Sequence, residues 1–162
     1  MIPPTISIET PLNNDVRGLI ANLNAHLLPL SPEEFQFKLT AEQMAEDKVS
    51  VFVARMAAGE AVGLGALKQH TGDLGEVKRM YILPQMRGKR IGASLLGAII
   101  ARARTLGIKQ LVLETGVASG FDAARRLYEQ HGFEQCAAVL DYPDSGHSAF
   151  YRLDLMPTQA CG

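Results

Sequence analysis

The sequence predicts an α/β fold: a mixed sheet of about seven strands, antiparallel in its first half, flanked by about four helices. Three observations carry this reading. Runs with helical spacing of apolar residues alternate with short runs of strand character. Two of the strand-like runs are joined by a tight turn, as antiparallel neighbours are. A long amphipathic helix then separates two short strands, the order of a right-handed parallel crossover.

From the N-terminus, Thr5–Glu9 is a short strand. Asp15–Leu28 is a helix, because Val16, Leu19, Ile20, Leu23 and Leu27 share one face. Ser31-Pro32-Glu33-Glu34 has the form of a helix start, with Ser as cap, Pro at the first position and an acid three residues on, and predicts a second helix to about Glu46. Val49–Ala57 and Ala61–His70 are strands joined through Ala58-Gly59-Glu60. Gln69–Asp73 turns into a strand over Gly75–Ile82, which Pro84 closes. Ile91, Leu95, Ile99 and Ala103, widened by Leu96, Ile100 and Leu106, form a third helix that Gly107 ends. Gln110–Glu114 is a short apolar strand, Phe121–His131 the last helix, and Phe133–Leu140 and Ala149–Leu155 the closing strands.

The third helix starts in an unusual way. Arg87-Gly88-Lys89-Arg90-Ile91-Gly92-Ala93 places three cations at an end that already carries partial positive charge and unpaired N–H groups. Such a start makes sense if an anion completes it, with backbone N–H groups and cationic side chains converging on phosphate oxygens and small residues allowing close approach.

This segment resembles motif A of the GNAT family of N-acetyltransferases, whose Arg/Gln-x-x-Gly-x-Gly/Ala signature binds the pyrophosphate of acetyl-CoA. The match departs at the middle glycine, which is Arg90 here. A second match lies in Ala124-Arg125-Arg126-Leu127-Tyr128-Glu129-Gln130-His131-Gly132-Phe133, similar to the family's A-x-x-L-Y-x-x-x-G-F ending of the last helix. The resemblance spans about residues 48–155 and implies a GNAT-type sheet whose two parallel strands, here Gly75–Ile82 and Gln110–Glu114, splay apart around the cofactor's pantetheine arm. It implies a single N-acetyltransferase domain over residues 1–162. Acetyl-CoA would be the co-substrate, with no metal, bound by Met80, Tyr81, Ile82, Arg87, Gly88, Lys89, Arg90, Ile91, Gly92 and Ala93. The main-chain N–H groups of Met80–Ile82 would meet the oxyanion.

The resemblance also implies two proton-transfer residues. Glu76 lies where several members carry a general-base glutamate, and alternation puts it on one face with Lys78 and Met80 unless a bulge intervenes. A carboxylate there could take the proton of an acceptor ammonium whose pKa is near ~10; the alternative is a structural salt bridge with Lys78 or Arg79. Tyr128 matches the family's general acid to the leaving thiolate, and a phenol is protonated at neutral pH, as that role needs; the alternative is a core tyrosine. Family members often carry Asn seven residues before this tyrosine, where this chain has Phe121. His26, His70 and His131 read as exposed or capping residues. Tyr142, His147 and Ser148 lie on the loop Leu140–Phe150, expected at the acceptor mouth, and are candidate substrate contacts; an ordinary hairpin loop is the alternative.

Composition narrows the partners. A net charge of −1 and 47% hydrophobic content describe a balanced globular chain, in which the cations at 87–90 are a local feature. A nucleic-acid module is disfavoured, because the basic patch is small and lacks interleaved aromatics. Met1-Ile2-Pro3-Pro4-Thr5 has no basic-then-apolar leader and no apolar run reaches membrane-spanning length, so no membrane association and a cytoplasmic location are expected. Cys136 and Cys161 read as free thiols. Exposed strands at the sheet end would suit a homodimer. The expected activity is acetyl transfer from acetyl-CoA to a primary amine of a small molecule by direct attack in a ternary complex. A protein or peptide acceptor, or a noncatalytic CoA-binding sensor, is the alternative.

Overall fold

In the computed structural model, which describes residues 3–30, 32, 34 and 39–155, the chain runs β1 (Thr5–Ile8), α1 (Asn14–Leu27), α2 (Ala41–Met44), β2 (Val49–Arg55), β3 (Ala61–Gln69), β4 (Leu74–Ile82), α3 (Ile91–Thr105), β5 (Gln110–Gly116), α4 (Asp122–Gln130), β6 (Glu134–Cys136) and β7 (Ser148–Asp154). The strands form one sheet in the order β1-β2-β3-β4-β5-β7-β6, and every neighbouring pair is antiparallel except β4 and β5. The expected mixed α/β architecture is therefore present.

Each face of the sheet has its own core. Val16, Leu19, Ile20 and Leu23 of α1, with Met44 of α2, cover Val51, Val53, Leu64, Ala66 and Tyr81. On the other face Ile91, Leu95, Leu96, Ile99, Ile100 and Ala103 of α3 pack with Phe52, Leu67, Val77, Leu111 and Leu113. Successive residues of β2 belong to opposite cores, which follows from the two-residue period of a strand covered on both sides.

Between these layers β4 parts from its parallel neighbour. Only Leu74–Glu76 pair with Gln110–Val112, whereas β5 pairs with β7 along its whole length from Gln110 to Gly116. A bulge lies just beyond the last parallel pair: Ala66 faces Lys78 and Leu64 faces Tyr81, so Gly65 alone opposes Arg79 and Met80. Arg79 sits at φ 60°, in the left-handed region. Extra residues of this kind bend and twist a strand. The glycines of β3 make room for it, since a Cβ at Gly65 would lie 2.4 Å from Met80 Sδ and one at Gly63 2.7 Å from Ile82 Cδ1.

The bulge corrects one expectation. Glu76 and Lys78 do not share a face with Met80, because the added residue reverses the alternation: Val77, Met80 and Ile82 pack into the α3 core while Tyr81 joins the α1 core. Two elements also differ from the sequence reading. Ser31, Glu33 and 35–38 lie outside the described residues, but a helix continuous to Glu46 is broken at Thr40, whose extended backbone caps α2 through a reciprocal bond pair with Gln43. The strand expected over Phe133–Leu140 ends at Cys136, and Leu140, 39% exposed, adopts φ 52°, in the left-handed region typical of turns.

Phe121, the departure from the family pattern, packs its ring against Gly116, where a Cβ would come within 2.1 Å of it. Gly116→Ala is therefore expected to destabilise the fold by about 1–3 kcal/mol, and combining it with Phe121→Ala should cost less than the sum of the two single changes. Thermal melts of the three variants check this.

Candidate active site

Where β4 leaves β5, a carboxylate is held almost completely out of water. Glu76 is 2% exposed. Its Oε2 accepts the Tyr142 hydroxyl at 2.5 Å and Lys78 Nζ at 3.3 Å, and its Oε1 lies 2.8 Å from His70 Nε2. Lys78 Nζ also donates to the Tyr142 oxygen at 2.5 Å and lies 5.2 Å from the centre of its ring. Burial chiefly, and then the Glu76 charge, push the Tyr142 phenol far up, so it stays a donor at neutral pH. The Tyr142 ring leans on Phe150 of β7 at a centroid distance of 6.0 Å. The segment between β6 and β7 is thereby fastened over the β4 carboxylate.

A second acid stands beside this group. Glu114 of β5 accepts Ser148 Oγ at 2.6 Å. Burial raises its carboxyl, with the Ser148 bond and the Lys78 charge opposing and the nearby Glu76 charge adding to the rise. The bulge residue Arg79 is 8% exposed; its Nη2 donates to Asn24 Oδ1 of α1, and its buried Nε has no partner. Burial alone pulls this guanidinium down to about 10.

Tyr128 lies on the other face, in the α3 core, with its ring 5.8 Å from Phe133 and 6.3 Å from Tyr151. Its phenol is pushed up by burial and, secondarily, by the Glu114 charge. At the open end of the gap between the parted strands, the β4 hydrogen-bond pattern places the Leu83 N–H on Val62 O at 3.0 Å, and alternation turns the Ile82 N–H away from β3 toward the β5 side.

The basic turn follows directly. Arg87, Gly88, Lys89 and Arg90 are exposed and form no ion pair among the described residues. Arg87 Nε donates to Ile82 O at 3.2 Å and its guanidinium lies 5.7 Å from the Tyr81 ring centre, which ties the turn to β4. Gly88 has φ 79°, and Arg90, the cap of α3, has φ 63° with no side-chain cap bond and no acid in the first helical turn. The left-handed cap explains why a glycine suits the position that Arg90 fills. Gly92 sits where a Cβ would meet Leu127 of α4 at 3.2 Å, so its lack of a side chain lets the first turn of α3 pack against the second half of α4.

The structure thus joins Glu76 to Tyr142, and places Ser148 on the neighbouring Glu114. His147 is exposed, with its backbone tied to Ser145 and Val117. His70, read from sequence as an exposed or capping residue, instead bonds Glu76. Arg79 and Glu114 were missed, although each left a signal: consecutive cations Lys78-Arg79 break strand alternation, and Glu114 ends an apolar run in a central strand. No helix of the described residues is long and apolar enough to cross a membrane, and no cluster of metal-ligating side chains occurs among them.

The sequence and its fold are matched by known proteins. The model of the Acetyltransferase (GNAT) family matches residues 20–133. The chain belongs to the GNAT acetyltransferase family. It is 41% identical over 131 residues to the IAA acetyltransferase of Azospirillum brasilense, covering 80% of this chain and 83% of that one. A solved Klebsiella pneumoniae protein assigned as an acyl-CoA N-acyltransferase superposes with a TM-score of 0.78 at 34% identity, over 94% and 98% of the two chains. An aminoglycoside 6′-N-acetyltransferase complexed with coenzyme A shares the GNAT fold, with a TM-score of 0.72 at 15% identity over 94% and 98%.

The half-buried Glu114 gives a pH signature. Its folded-state pKa is raised above the ordinary value of 4.5, so the folded chain binds this proton more tightly than the unfolded one. Its ionisation therefore costs stability as pH rises from about 4.5 through the folded value, and costs nothing below. Glu114→Gln is expected to raise the melting temperature near pH ~8, with the gain shrinking toward pH ~4. Melts over a pH series read this directly.

Proposed function

We propose that this GNAT acetyltransferase is a single domain that takes its acetyl group from acetyl-CoA and transfers it to a primary amine of a small molecule, by direct attack in a ternary complex. The observation that carries the reading is the buried Glu76 cluster at the point where β4 and β5 part, one turn upstream of a cationic, uncapped helix start. The residues there fit the cofactor. Among the described residues exposed Arg87, Lys89 and Arg90 have no acidic partners, the first N–H groups of α3 have no side-chain cap, and Gly88 has open space beside its backbone. The coenzyme A held by the structural neighbour, and the names of the aminoglycoside and IAA acetyltransferases, support acetyl-CoA and a small acceptor.

Bound acetyl-CoA supplies an acyl carbon activated as a thioester. Glu76 accepts the proton of the attacking ammonium, directly or through water, and His70, partly exposed and hydrogen-bonded to the same carboxylate, connects it to solvent. Lys78 and Tyr142 fix the carboxylate's orientation. The Ile82 N–H, directed into the gap, offers a donor to developing negative charge. Tyr128, kept protonated by burial, holds a proton for the departing thiolate on the α3 face.

Acetyl-CoA is expected to raise the melting temperature, and Lys89→Glu with Arg90→Glu to remove most of that shift without lowering the unliganded melt. The absence of any wild-type shift at millimolar acetyl-CoA sinks the cofactor reading. With an acceptor in hand, Glu76→Gln should lower kcat about 10²-fold, and Tyr128→Phe should lower kcat while leaving the acetyl-CoA shift intact. Unchanged rates in both would make the two residues structural.

A further inference from the structure

One buried charge has no use in the mechanism above. Arg79 is more than nine-tenths buried, yet among the described residues it forms no ion pair, and its single hydrogen bond there is to the neutral Asn24 amide. Its Nε is buried without a partner. A guanidinium carries five N–H donors in a rigid fork, and burying it uncompensated is costly. A fold seeking only stability would place an apolar residue or a carboxylate here.

The backbone points the same way. Arg79 occupies the left-handed position of the β4 bulge, a conformation that costs a non-glycine residue about 1–2 kcal/mol. The bulge carries Arg79 to the α1 face, where Asn24 orients it, and this is the face of Glu76, Lys78 and Tyr142. Strain and a desolvated cation thus coincide at the splay, on the acceptor side of the strand. The two carboxylates nearby are already engaged, Glu76 by Lys78, Tyr142 and His70, and Glu114 by Ser148.

We infer that Arg79 is the anchor for a carboxylate carried by the acceptor itself, so that the substrates of this enzyme are amino acids or similar amino-carboxylates. A planar fork pairs a carboxylate through two parallel N–H···O bonds, which fixes both distance and orientation. The amine of such an acceptor is then held on the Glu76 side of the bulge while its acid group neutralises the guanidinium. The inference rests on the acetyltransferase reading and adds the substrate class.

The test compares the standard L-amino acids, β-alanine and γ-aminobutyrate with their primary carboxamides, as acceptors in a CoA-thiol release assay and as ligands in thermal melts with saturating CoA. Wild type is expected to prefer at least one acid over its amide by about tenfold or more in kcat/KM, and to be stabilised by that acid alone. Arg79→Gln should lose that preference through the acid's KM, keep the slow amide rate, and keep the acetyl-CoA melting shift; Arg79→Lys should recover part of the preference. Arg79→Met serves if the glutamine variant fails to fold, because removing an uncompensated buried charge should leave the unliganded melt equal or higher. Equal handling of acids and amides by wild type, or equal losses on both in the Arg79 variants, overturns the carboxylate anchor while a retained acetyl-CoA shift leaves the acetyltransferase reading standing. If wild type shows no acetyl-CoA shift, both fall together.

Discussion

The separation of β4 from β5 is the constraint around which the rest of the molecule is arranged. A parallel pair in the middle of a sheet normally continues its ladder, because unpaired peptide groups away from water are expensive. Here pairing stops at Glu76 and Val112. The bulge at Arg79 bends β4 away, two glycines of β3 make the bend sterically feasible, and β5 turns its other edge to β7 along seven residues. The peptide groups left over on β4 face a gap flanked by both cores, which is a place for a ligand to complete the sheet.

Two different electrostatic regimes meet at that gap. The basic turn before α3 is solvent-exposed, so its cations are screened, suited to an anionic group that is itself half in water. The Glu76 group is its opposite: a buried carboxylate is held by a lysine, a phenol and a partly exposed imidazole, with the half-buried Glu114 beside it. Such networks hold their geometry when every member is satisfied and are costly when one is removed. The contrast fits a division of labour between holding a large cofactor and handling single protons.

Much of this was visible in the sequence because it depended on local patterns. The α3 stripe, Gly107 at its end and the glycine-flanked cations identified the crossover, and the last helix starts and stops within one residue of its expected bounds. What stayed hidden depended on one extra residue. Without the bulge at Arg79 the alternation rule carries Met80 to the Glu76 face; with it, Met80 falls into the α3 core and Arg79 reaches α1. No period in the sequence signals such an insertion except two adjacent cations in an otherwise regular strand. The bonds of His70 and Tyr142 to Glu76 were hidden for another reason: they span six and sixty-six residues, and only the register of β3 with β4 and the path of the β6–β7 segment close them. Thr40 shows the same limit on a smaller scale, since a helix start four residues before α2's core position competes with an equally good one at Ser31.

The position of Glu114 has a consequence for how acidity is distributed across the sheet. Its carboxyl feels the charge of Glu76 on one side, and its own charge is felt by the Tyr128 phenol on the other. Glu114 thus responds to a charge on the α1 side of the sheet and imposes its own on a phenol in the α3 core, so replacing this one acid would be felt electrostatically on both faces.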